Sequence, residues 1–203
     1  VFREAARILK PQAHAYVFFH HNWYEDLYQL LCRHFGDDAV MQTPNIWIKN
    51  TPGIGDPNER WVPAYEPFFF VNRGRPMVKP QAFNWIKYDT VGKQSKIHPT
   101  EKPTLLLRHI IEASCVGKEL VMDPFAGSCS TLVAAVEMGC RFYGCEMDEA
   151  FYEKGKDRLA TTIGLQQEAD EKVKQGMNGT TGADQDDTGT VHGPTSEDPG
   201  ASG

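Results

Sequence analysis

The stretch at residues 119–146 constrains the fold of this chain more than any other part of the sequence. Residues 119–123 form an apolar strand pattern that ends at Asp123, and a loop of small residues leads from there directly into a helical pattern. A second strand pattern follows the helix and ends at Glu146. A strand, a helix and a second strand at this spacing predict one β-α-β unit, in which the two strands run parallel.

The same alternation of apolar strands and helical patterns continues through most of the first 160 residues. Alternating strands and helices favour an α/β fold that is built on a parallel sheet. A loop rich in Gly and Pro at residues 51–64 and an irregular segment at 75–103 interrupt the pattern. The predicted strands are 15–20, 45–50, 65–74, 119–123 and 141–146, and the predicted helices are 24–35, 104–114, 129–138 and 148–160.

The loop between Asp123 and the following helix is suited to binding a ligand. Ala126 and Gly127 let a ligand approach the backbone closely, and the free N–H groups at the start of the helix attract a negative group. Glu146, at the end of the second strand, is placed to accept hydrogen bonds from ribose hydroxyls. These features predict an adenosine-containing ligand, and an ordinary strand-turn-helix without a ligand is the alternative.

Two classes of adenosine ligand fit this geometry. A dinucleotide would normally require G-x-G-x-x-G, whereas the loop has a single glycine and begins with Asp-Pro. A ligand whose negative group is a carboxylate needs less glycine than one with a pyrophosphate, and S-adenosylmethionine is such a ligand. A nucleotide-dependent oxidoreductase stays open as the competing interpretation.

Cys129 stands at the predicted start of the helix, where such loops often carry another glycine. A small side chain is tolerated there if the backbone is helical, whereas a positive φ would add strain. A reactive thiol is the less favoured alternative, since a helix N-terminus can lower a thiol's pKa. The five cysteines form no C-x-x-C pair, which favours reduced thiols in an intracellular protein over a disulfide frame or a metal site.

The net charge of −6 is concentrated in the C-terminal tail, because residues 165–203 hold eight acids and two bases. This segment has no aromatic residue and is dominated by Gly, Asp and Thr, so we predict an acidic, disordered tail at 165–203. Residues 49–108 hold ten bases and five acids. A basic middle segment suits a polyanion, although a solvated surface explains the charge on its own.

The segment IHPTEKP at residues 97–103 precedes the helix predicted from residue 104. Pro99 and Pro103 restrict its backbone, while Thr100 and Lys102 offer a hydroxyl group and a cation. By itself the segment fits a rigid connector. Its position about 20 residues before the DPFAGS loop makes the combination far more specific than either part.

The sequence resembles the DNA amino-methyltransferases that modify adenine N6 or cytosine N4, over roughly residues 1–160. The matching subgroup has the permuted order in which the catalytic motif precedes the cofactor motif. HPTEKP resembles the family's H-P-T-x-K-P element, VMDPFAGSCST its D-P-F-x-G-S-G loop, and YGCEMDEAFYEKGKDRL its G-x-E-x-D-x-x-Y segment with the helix ending in Arg-Leu. NIWIKN, YEPFFFVNRG and ARILKPQAHAYVFF resemble three further elements in the expected order.

The resemblance implies a Rossmann-like methyltransferase domain at residues 1–164 that binds S-adenosyl-L-methionine. It implies that residues 49–97 include an insertion that contacts double-stranded DNA, and it leaves a homodimer open. The implied cofactor residues are Thr100, Lys102, Pro103, Asp123, Phe125, Ala126, Gly127, Ser128 and Glu146. The implied phosphate contacts are Lys49, Arg60, Arg73, Arg75, Lys79, Lys87, Lys93 and Lys96. For Trp61, Phe83 and Trp85 a place in the core is favoured over a base-facing one.

The family's catalytic motif, an Asp, Asn or Ser followed by Pro-Pro and an aromatic residue, is missing because the chain contains no Pro-Pro. Asp123-Pro124-Phe125 resembles that motif only superficially, since the FAGS run places it in the cofactor loop. The resemblance places the motif upstream of Val1, so the sheet is expected to be incomplete at its N-terminus and no catalytic residue is predicted within the chain.

The full enzyme would methylate an exocyclic amino group in DNA, as in restriction-modification systems, in the cytoplasm of a prokaryotic cell or phage-infected host. A non-catalytic DNA-binding or accessory protein with the same fold is the main alternative, and a small-molecule or RNA methyltransferase is another. No metal is expected. The chain has no run of 18 apolar residues, so no transmembrane helix is predicted.

Overall fold

The computed structural model describes residues 1–53, 55–92 and 94–178, with side chains up to residue 173. Residues 1–166 form one compact unit, and a second unit begins at residue 167. The strands are β1 (His14–Phe18), β2 (Asn45–Ile48), β3 (Tyr65–Asn72), β4 (Trp85–Lys87), β5 (Leu120–Asp123) and β6 (Arg141–Gly144). The helices are α1 (Phe2–Ile8), α2 (Tyr24–Phe35), α3 (Thr104–Ser114), α4 (Ser130–Glu137) and α5 (Glu149–Asn178).

The larger sheet has four strands in the order β1-β3-β2-β4. Strand β3 runs antiparallel to both of its neighbours, pairing Tyr16 with Phe70 on one side and Trp47 with Glu66 on the other. The described residues between β2 and β3 form no crossover helix of the kind that usually joins parallel strands, and the two strands pair antiparallel. Strand β4 lies parallel to β2 at the edge.

Both faces of β3 are covered, which explains its continuous apolar run of Phe68–Val71. On one face, Phe69 is fully buried and stacks on Phe19 with ring centroids 4.5 Å apart, and Leu31 of α2 completes this cluster. On the other face, Phe68 packs with Trp47 and with residues of α3. The larger sheet therefore lies between α2 and α3.

The smaller sheet is the parallel pair β5 and β6, which confirms the β-α-β unit predicted from the sequence. Helix α4 connects the strands and packs against α3 through Leu107, Ile111, Ala134 and Ala135. A Cβ at Gly144 of β6 would lie 2.5 Å from Cδ1 of Leu132, so the glycine permits this close approach of strand and helix.

The structure differs from the sequence predictions in several places. Strand β4 falls in a segment that was predicted to be irregular. Helix α5 continues to Asn178, so the helix extends well into the predicted disordered tail; Glu, Gln, Ala and Lys in this stretch favour a helix. The rest of the tail, residues 179–203, lies outside the described residues.

The third difference concerns three aromatic side chains. The predicted core positions of Trp61, Phe83 and Trp85 are wrong, because these side chains are 99%, 67% and 48% exposed. Trp61 lies on the β2–β3 loop, and Phe83 stacks on Trp85 at the edge strand β4. Within the part of the chain that the structure describes, no helix has the length and apolarity needed to cross a membrane.

Candidate functional site

The loop that joins β5 to α4 lies at the carboxyl ends of the paired strands β5 and β6. The carboxylate of Asp123 accepts a hydrogen bond from the Phe125 N–H at 3.0 Å and another from the Thr131 hydroxyl at 2.6 Å. The Ala126 N–H donates to the carbonyl of Cys145 at 2.8 Å. These bonds attach the loop to the end of β5, to α4 and to the segment that follows β6, so its backbone is held on three sides.

Glu146 closes the loop from the second strand. One of its carboxylate oxygens accepts the Gly127 N–H at 2.7 Å, and the other accepts the N–H groups of Met147 and Asp148 at 2.8 and 2.9 Å. The hydrogen bond from Asp148 and those from Gly127 and Met147 outweigh partial burial and lower the pKa of Glu146. The group is therefore an ionised acceptor at neutral pH.

The free capacity of Glu146 bears on the predicted ribose contact. A carboxylate offers about four lone-pair positions, and backbone donors from Gly127, Met147 and Asp148 use three of them. One position is left for a ligand hydroxyl. A ribose that presents two hydroxyls to Glu146 would require one backbone bond, such as that from Gly127, to be exchanged. The residues fit an adenosine ligand on that condition.

The other loop residues differ in exposure. Ala126 and Ser128 are buried, and the Ser128 hydroxyl lies 3.1 Å from that of Ser130. The side chain of Phe125 is exposed. The loop thus offers a ligand one aromatic surface next to Gly127, whose φ of +52° lies in the left-handed region.

Of the two backbone conformations considered for Cys129, the structure has the left-handed one. Its φ is 59°, in the left-handed region that favours glycine, and α4 begins only at Ser130. The buried thiol faces Gly155 of α5, where a Cβ would lie 2.7 Å from Sγ. Burial, with a smaller contribution from the Asp123 charge, raises the pKa of Cys129, so the structure does not support the alternative of a reactive thiol.

The segment of residues 97–103 lies against the loop. A Cβ at Gly127 would lie 3.5 Å from Cγ of His98, so the imidazole covers this glycine in ordinary contact. The ring of His98 also packs edge-on against Phe151 of α5, with centroids 4.3 Å apart. The exposed Thr100 bonds to Nδ1 of His98 through both its N–H and its hydroxyl, and Pro103 leads directly into α3.

Lys102 is bound to the larger sheet. Its Nζ lies 2.9 Å from one oxygen of Glu66 and 4.6 Å from the ring centroid of Phe18. The other oxygen of Glu66 accepts from Lys49 at 2.8 Å. Burial by itself would raise the pKa of Glu66, but Lys102 and Lys49 outweigh it and lower that pKa. The three side chains join segment 97–103 to strands β2 and β3.

Several of the side chains that were predicted to contact phosphate have partners within the protein. Arg73 donates to the carbonyls of Ala6 and Leu9 at the end of α1, and Arg75 pairs with Glu119. With Lys49 on Glu66, these three side chains have partners within the protein. Lys79 pairs with Glu112 on an exposed surface. Lys93 lies outside the described residues.

The remaining predicted phosphate contacts are Arg60, Lys87 and Lys96. Arg60 is exposed beside Trp61, and its nearest carboxylate is that of the neighbouring Glu59 at 3.7 Å. Lys87 lines an open cavity of about 420 Å³ with Phe83 and Trp85. Lys96 makes a long contact of 3.4 Å to the carbonyl of Pro99. Arg60 and Lys87 therefore present charge beside aromatic surface.

Sequence reasoning missed His98, Glu101, Gly155 and Arg158 as parts of this site. Glu101 and His98 were visible within HPTEKP, and Arg158 is the arginine of the terminal Arg-Leu, but no local pattern indicates that α5 crosses the loop. Within residues 1–53, 55–92 and 94–178, His, Cys, Asp and Glu side chains form no cluster that could hold a metal ion.

Comparison with known proteins identifies a family. The DNA methylase family N6_N4_Mtase matches residues 1–157. The chain is 38% identical over 100 residues to YubD of Escherichia coli (strain K12), which is named as a methylase, and 39% identical over 82 residues to the DNA adenine methyltransferase YhdJ of the same strain. These matches cover 47% and 40% of this chain but only 42% and 28% of the two relatives.

Solved structures share the fold at low sequence identity. The structure of an M1.HpyAVI-SAM complex superposes with a TM-score of 0.64 at 22% identity, covering 78% of this chain and 79% of the other. The cytosine-N4-specific PvuII DNA methyltransferase gives a TM-score of 0.60 at 15% identity, covering 80% and 74%.

Proposed function

Because the chain belongs to the DNA methylase family N6_N4_Mtase, we propose that it binds S-adenosyl-L-methionine for methylation of an amino group in DNA. The cofactor binds at the loop of residues 123–128 and at Glu146. The acceptor is N6 of adenine or N4 of cytosine. DNA is the partner, and the site of action is the cytoplasm of a prokaryotic cell or phage-infected host.

One observation carries the cofactor part of the proposal. Gly127 and Glu146 meet at the carboxyl ends of two neighbouring parallel strands, with their hydrogen bond at 2.7 Å. Ligands of open α/β sheets bind at such strand ends. An ionised acceptor on one strand and a glycine loop on the other fit a ligand that combines a ribose with a carboxylate.

Each predicted cofactor residue has a role that its surroundings support. When bound, the cofactor supplies a methyl group on a sulfonium centre. Glu146 accepts from the ribose, and the exposed ring of Phe125 offers an apolar surface beside it. Thr100 is exposed, and its hydroxyl, which also lies 3.0 Å from Nδ1 of His98, can contact a polar group of the methionine part. Asp123, Ala126 and Ser128 hold the loop in shape, while Lys102 and Pro103 hold Thr100 against the sheet.

The residues that accept the target amino group are proposed to lie outside this chain. The family supplies an Asp, Asn or Ser before Pro-Pro and an aromatic residue, and no Pro-Pro occurs among the 203 residues. We propose that an upstream segment carries this motif in the complete enzyme, where the aromatic residue would stack on the flipped base.

Contacts with DNA are proposed for Arg60, Lys87 and Lys96, with Lys79 as a further phosphate contact. Phosphate contacts position a protein on the duplex, whereas base-edge contacts specify the sequence. Trp61 adjoins Arg60, and the Phe83–Trp85 pair lines a cavity with Lys87. Stacking on an unpaired base is typical of such aromatic rings.

Isothermal titration calorimetry tests the cofactor assignment. The chain is expected to bind S-adenosylmethionine and to bind nicotinamide dinucleotides far more weakly. Glu146→Ala should weaken cofactor binding at least tenfold, and Glu137→Ala on the far end of α4 serves as a matched control. Tight dinucleotide binding with no S-adenosylmethionine binding would support an oxidoreductase instead.

Methyl transfer tests the reaction and the base. The chain, extended by its upstream reading frame, should transfer labelled methyl groups to duplex DNA, and mass spectrometry of the digested product should show N6-methyladenine or N4-methylcytosine. An extended chain that binds DNA and cofactor, lacks a Pro-Pro motif and transfers no methyl group would favour the accessory protein. Methylation of RNA or of small molecules alone would contradict the proposed substrate.

A further inference from the structure

Arg158 on α5 contacts three separate segments around the loop. Its Nη1 donates to Oε1 of Glu101 at 2.8 Å, to the carbonyl of Ser128 at 3.2 Å and to the hydroxyl of Ser130 at 3.0 Å. Its Nη2 donates to the hydroxyl of Thr104, the first residue of α3, at 3.2 Å. One guanidinium therefore bonds segment 97–103, the loop before α4 and the start of α3.

Glu101 is the buried partner of this arginine. Its side chain is only 3% exposed, against 24% for Arg158. The oxygen that does not face Arg158 accepts the N–H groups of Ile97 and His98 at 2.8 and 3.4 Å. The carboxylate thus holds the turn that carries His98 and Thr100, and Arg158 holds the carboxylate.

A buried ion pair is weak evidence for stability, because desolvation offsets much of the attraction between the charges. The geometry of this pair favours a different role. A guanidinium has donors in a fixed planar fork, so its bonds to Glu101, Ser128 and Thr104 define the relative placement of three segments. No apolar replacement could define that placement, since each acceptor is polar.

We propose that the Glu101–Arg158 pair positions segment 97–103 against the loop of residues 126–130 and thereby sets the affinity for the cofactor. The proposal rests on the proposed function, since Thr100 and Gly127 are the groups that the pair brings together. Glu101 and Arg158 are both positioning residues, because neither needs to touch the ligand. The pair acts through the backbone of the two segments that do.

The test compares two arginine–glutamate pairs. Arg158→Met removes the fork, Arg158→Lys keeps the charge with one bonding group, and Glu101→Gln removes the partner charge. Arg75→Met is the matched control, because Arg75 also pairs with a partly buried glutamate, Glu119, just before the amino end of β5. Cofactor affinity is measured by calorimetry, below the melting temperature of every variant.

We expect Arg158→Met to weaken S-adenosylmethionine binding at least tenfold and Arg158→Lys to weaken it less. Glu101→Gln/Arg158→Met should bind no more weakly than Arg158→Met, because the two residues act as a unit. Arg75→Met should stay within about twofold of the wild type. Wild-type affinity in Arg158→Met, or an equal loss in Arg75→Met, overturns the proposal.

Amide hydrogen exchange gives a readout that does not require the cofactor. Arg158→Met should speed exchange at residues 97–101 and 126–130, whereas Arg75→Met should leave both segments unchanged. If Arg158→Met does not fold, Arg158→Lys and Glu101→Gln take its place. If the wild type fails to bind S-adenosylmethionine, the proposed function is contradicted. If amide exchange at residues 97–101 and 126–130 is unchanged in the Arg158 and Glu101 variants, the positioning role is contradicted.

Discussion

The two sheets of the protein are packed differently, and the difference separates scaffold from site. In the larger sheet, β3 is covered on both faces and Phe69 and Val71 are fully buried. In the smaller sheet, α4 and α3 cover one face, while Leu120, Met122 and Tyr143 are exposed on alternate positions of β5 and β6. The groups proposed to bind the cofactor all lie at the end of the less covered sheet or on segment 97–103, which packs against the loop after β5.

The comparison shows how a thinly packed site is held in place. The loop after β5 is fixed by hydrogen bonds and by the close contact of Gly155, and only a small apolar cluster around Ala126, Cys129 and Leu132 supports it. The larger sheet provides a rigid base, to which Lys102 and Glu66 attach segment 97–103. Substitutions in the larger sheet should therefore act through packing. Substitutions around the smaller sheet should act through polar contacts or backbone geometry.

The largest effect is expected from a deletion in the larger core. Phe69→Ala should lower the free energy of unfolding by about 3–5 kcal/mol, because Phe69 has no exposed surface and packs against several rings. Leu120→Ala in β5 should cost less than about 1 kcal/mol, since its side chain is half exposed. Urea denaturation measures both. Equal losses of stability in Phe69→Ala and Leu120→Ala would contradict the difference in packing between the two sheets.

The next effect concerns two glycines of α5. Gly155→Ala should destabilise the protein by about 1–3 kcal/mol, because its Cβ would lie 2.7 Å from the thiol of Cys129 and 2.9 Å from the carbonyl of Gly127. Gly164→Ala is the control. Among the described residues nothing lies within 4 Å of a Cβ at this position, so helix propensity should stabilise the variant by about 0.5–1 kcal/mol.

Thermal and urea unfolding of the two glycine variants provide the measurement. Adding Cys129→Gly to Gly155→Ala should recover part of the loss, since it removes the thiol but leaves the carbonyl. A stabilising Gly155→Ala would mean that α5 does not press on the loop.

A smaller effect should separate backbone strain from side-chain packing at Cys129. Cys129→Gly and Cys129→Ala both remove the buried thiol, but only glycine suits a φ of 59°. The glycine variant should therefore be about 1 kcal/mol more stable than the alanine variant. Calorimetric melting would measure the gap, and cofactor titration would show whether relief of strain also tightens binding. Identical stabilities would indicate that the loop relaxes without cost.

The smallest effect is the pH dependence attributable to Glu66. Its pKa is lower in the folded protein than the ordinary value of 4.5, so its contribution to stability is present above that value and is lost as the pH falls through the lower, folded one. Since Glu66 and its partners Lys49 and Lys102 are partly exposed, the contribution to the free energy of unfolding should be less than about 1 kcal/mol. The difference in the free energy of unfolding between the wild type and Glu66→Gln should therefore become smaller as the pH falls below 4.5. If that difference in stability instead became larger in acid, the expected direction of the pH dependence would be contradicted.

Much of the fold was predictable from local patterns. Helix α2 and the β5-α4-β6 unit follow apolar periodicity, which reports which face of an element is buried. The antiparallel direction of β3 and the edge strand β4 were not predicted, because strand direction and pairing depend on how distant segments meet. The exposed Trp61 was misplaced for the same reason: an aromatic side chain alone does not specify its surroundings.

The sequence by itself determined the family and the two motifs that flank the proposed site, because DPFAGS and HPTEKP are short, contiguous and in a diagnostic order. Only the tertiary structure decided how the site is held. Arg158 lies 57 positions from Glu101 and 30 from Ser128, and the left-handed Cys129 fits only because Gly155 faces it. Such contacts depend on where α5 crosses the loop, which no local pattern specifies.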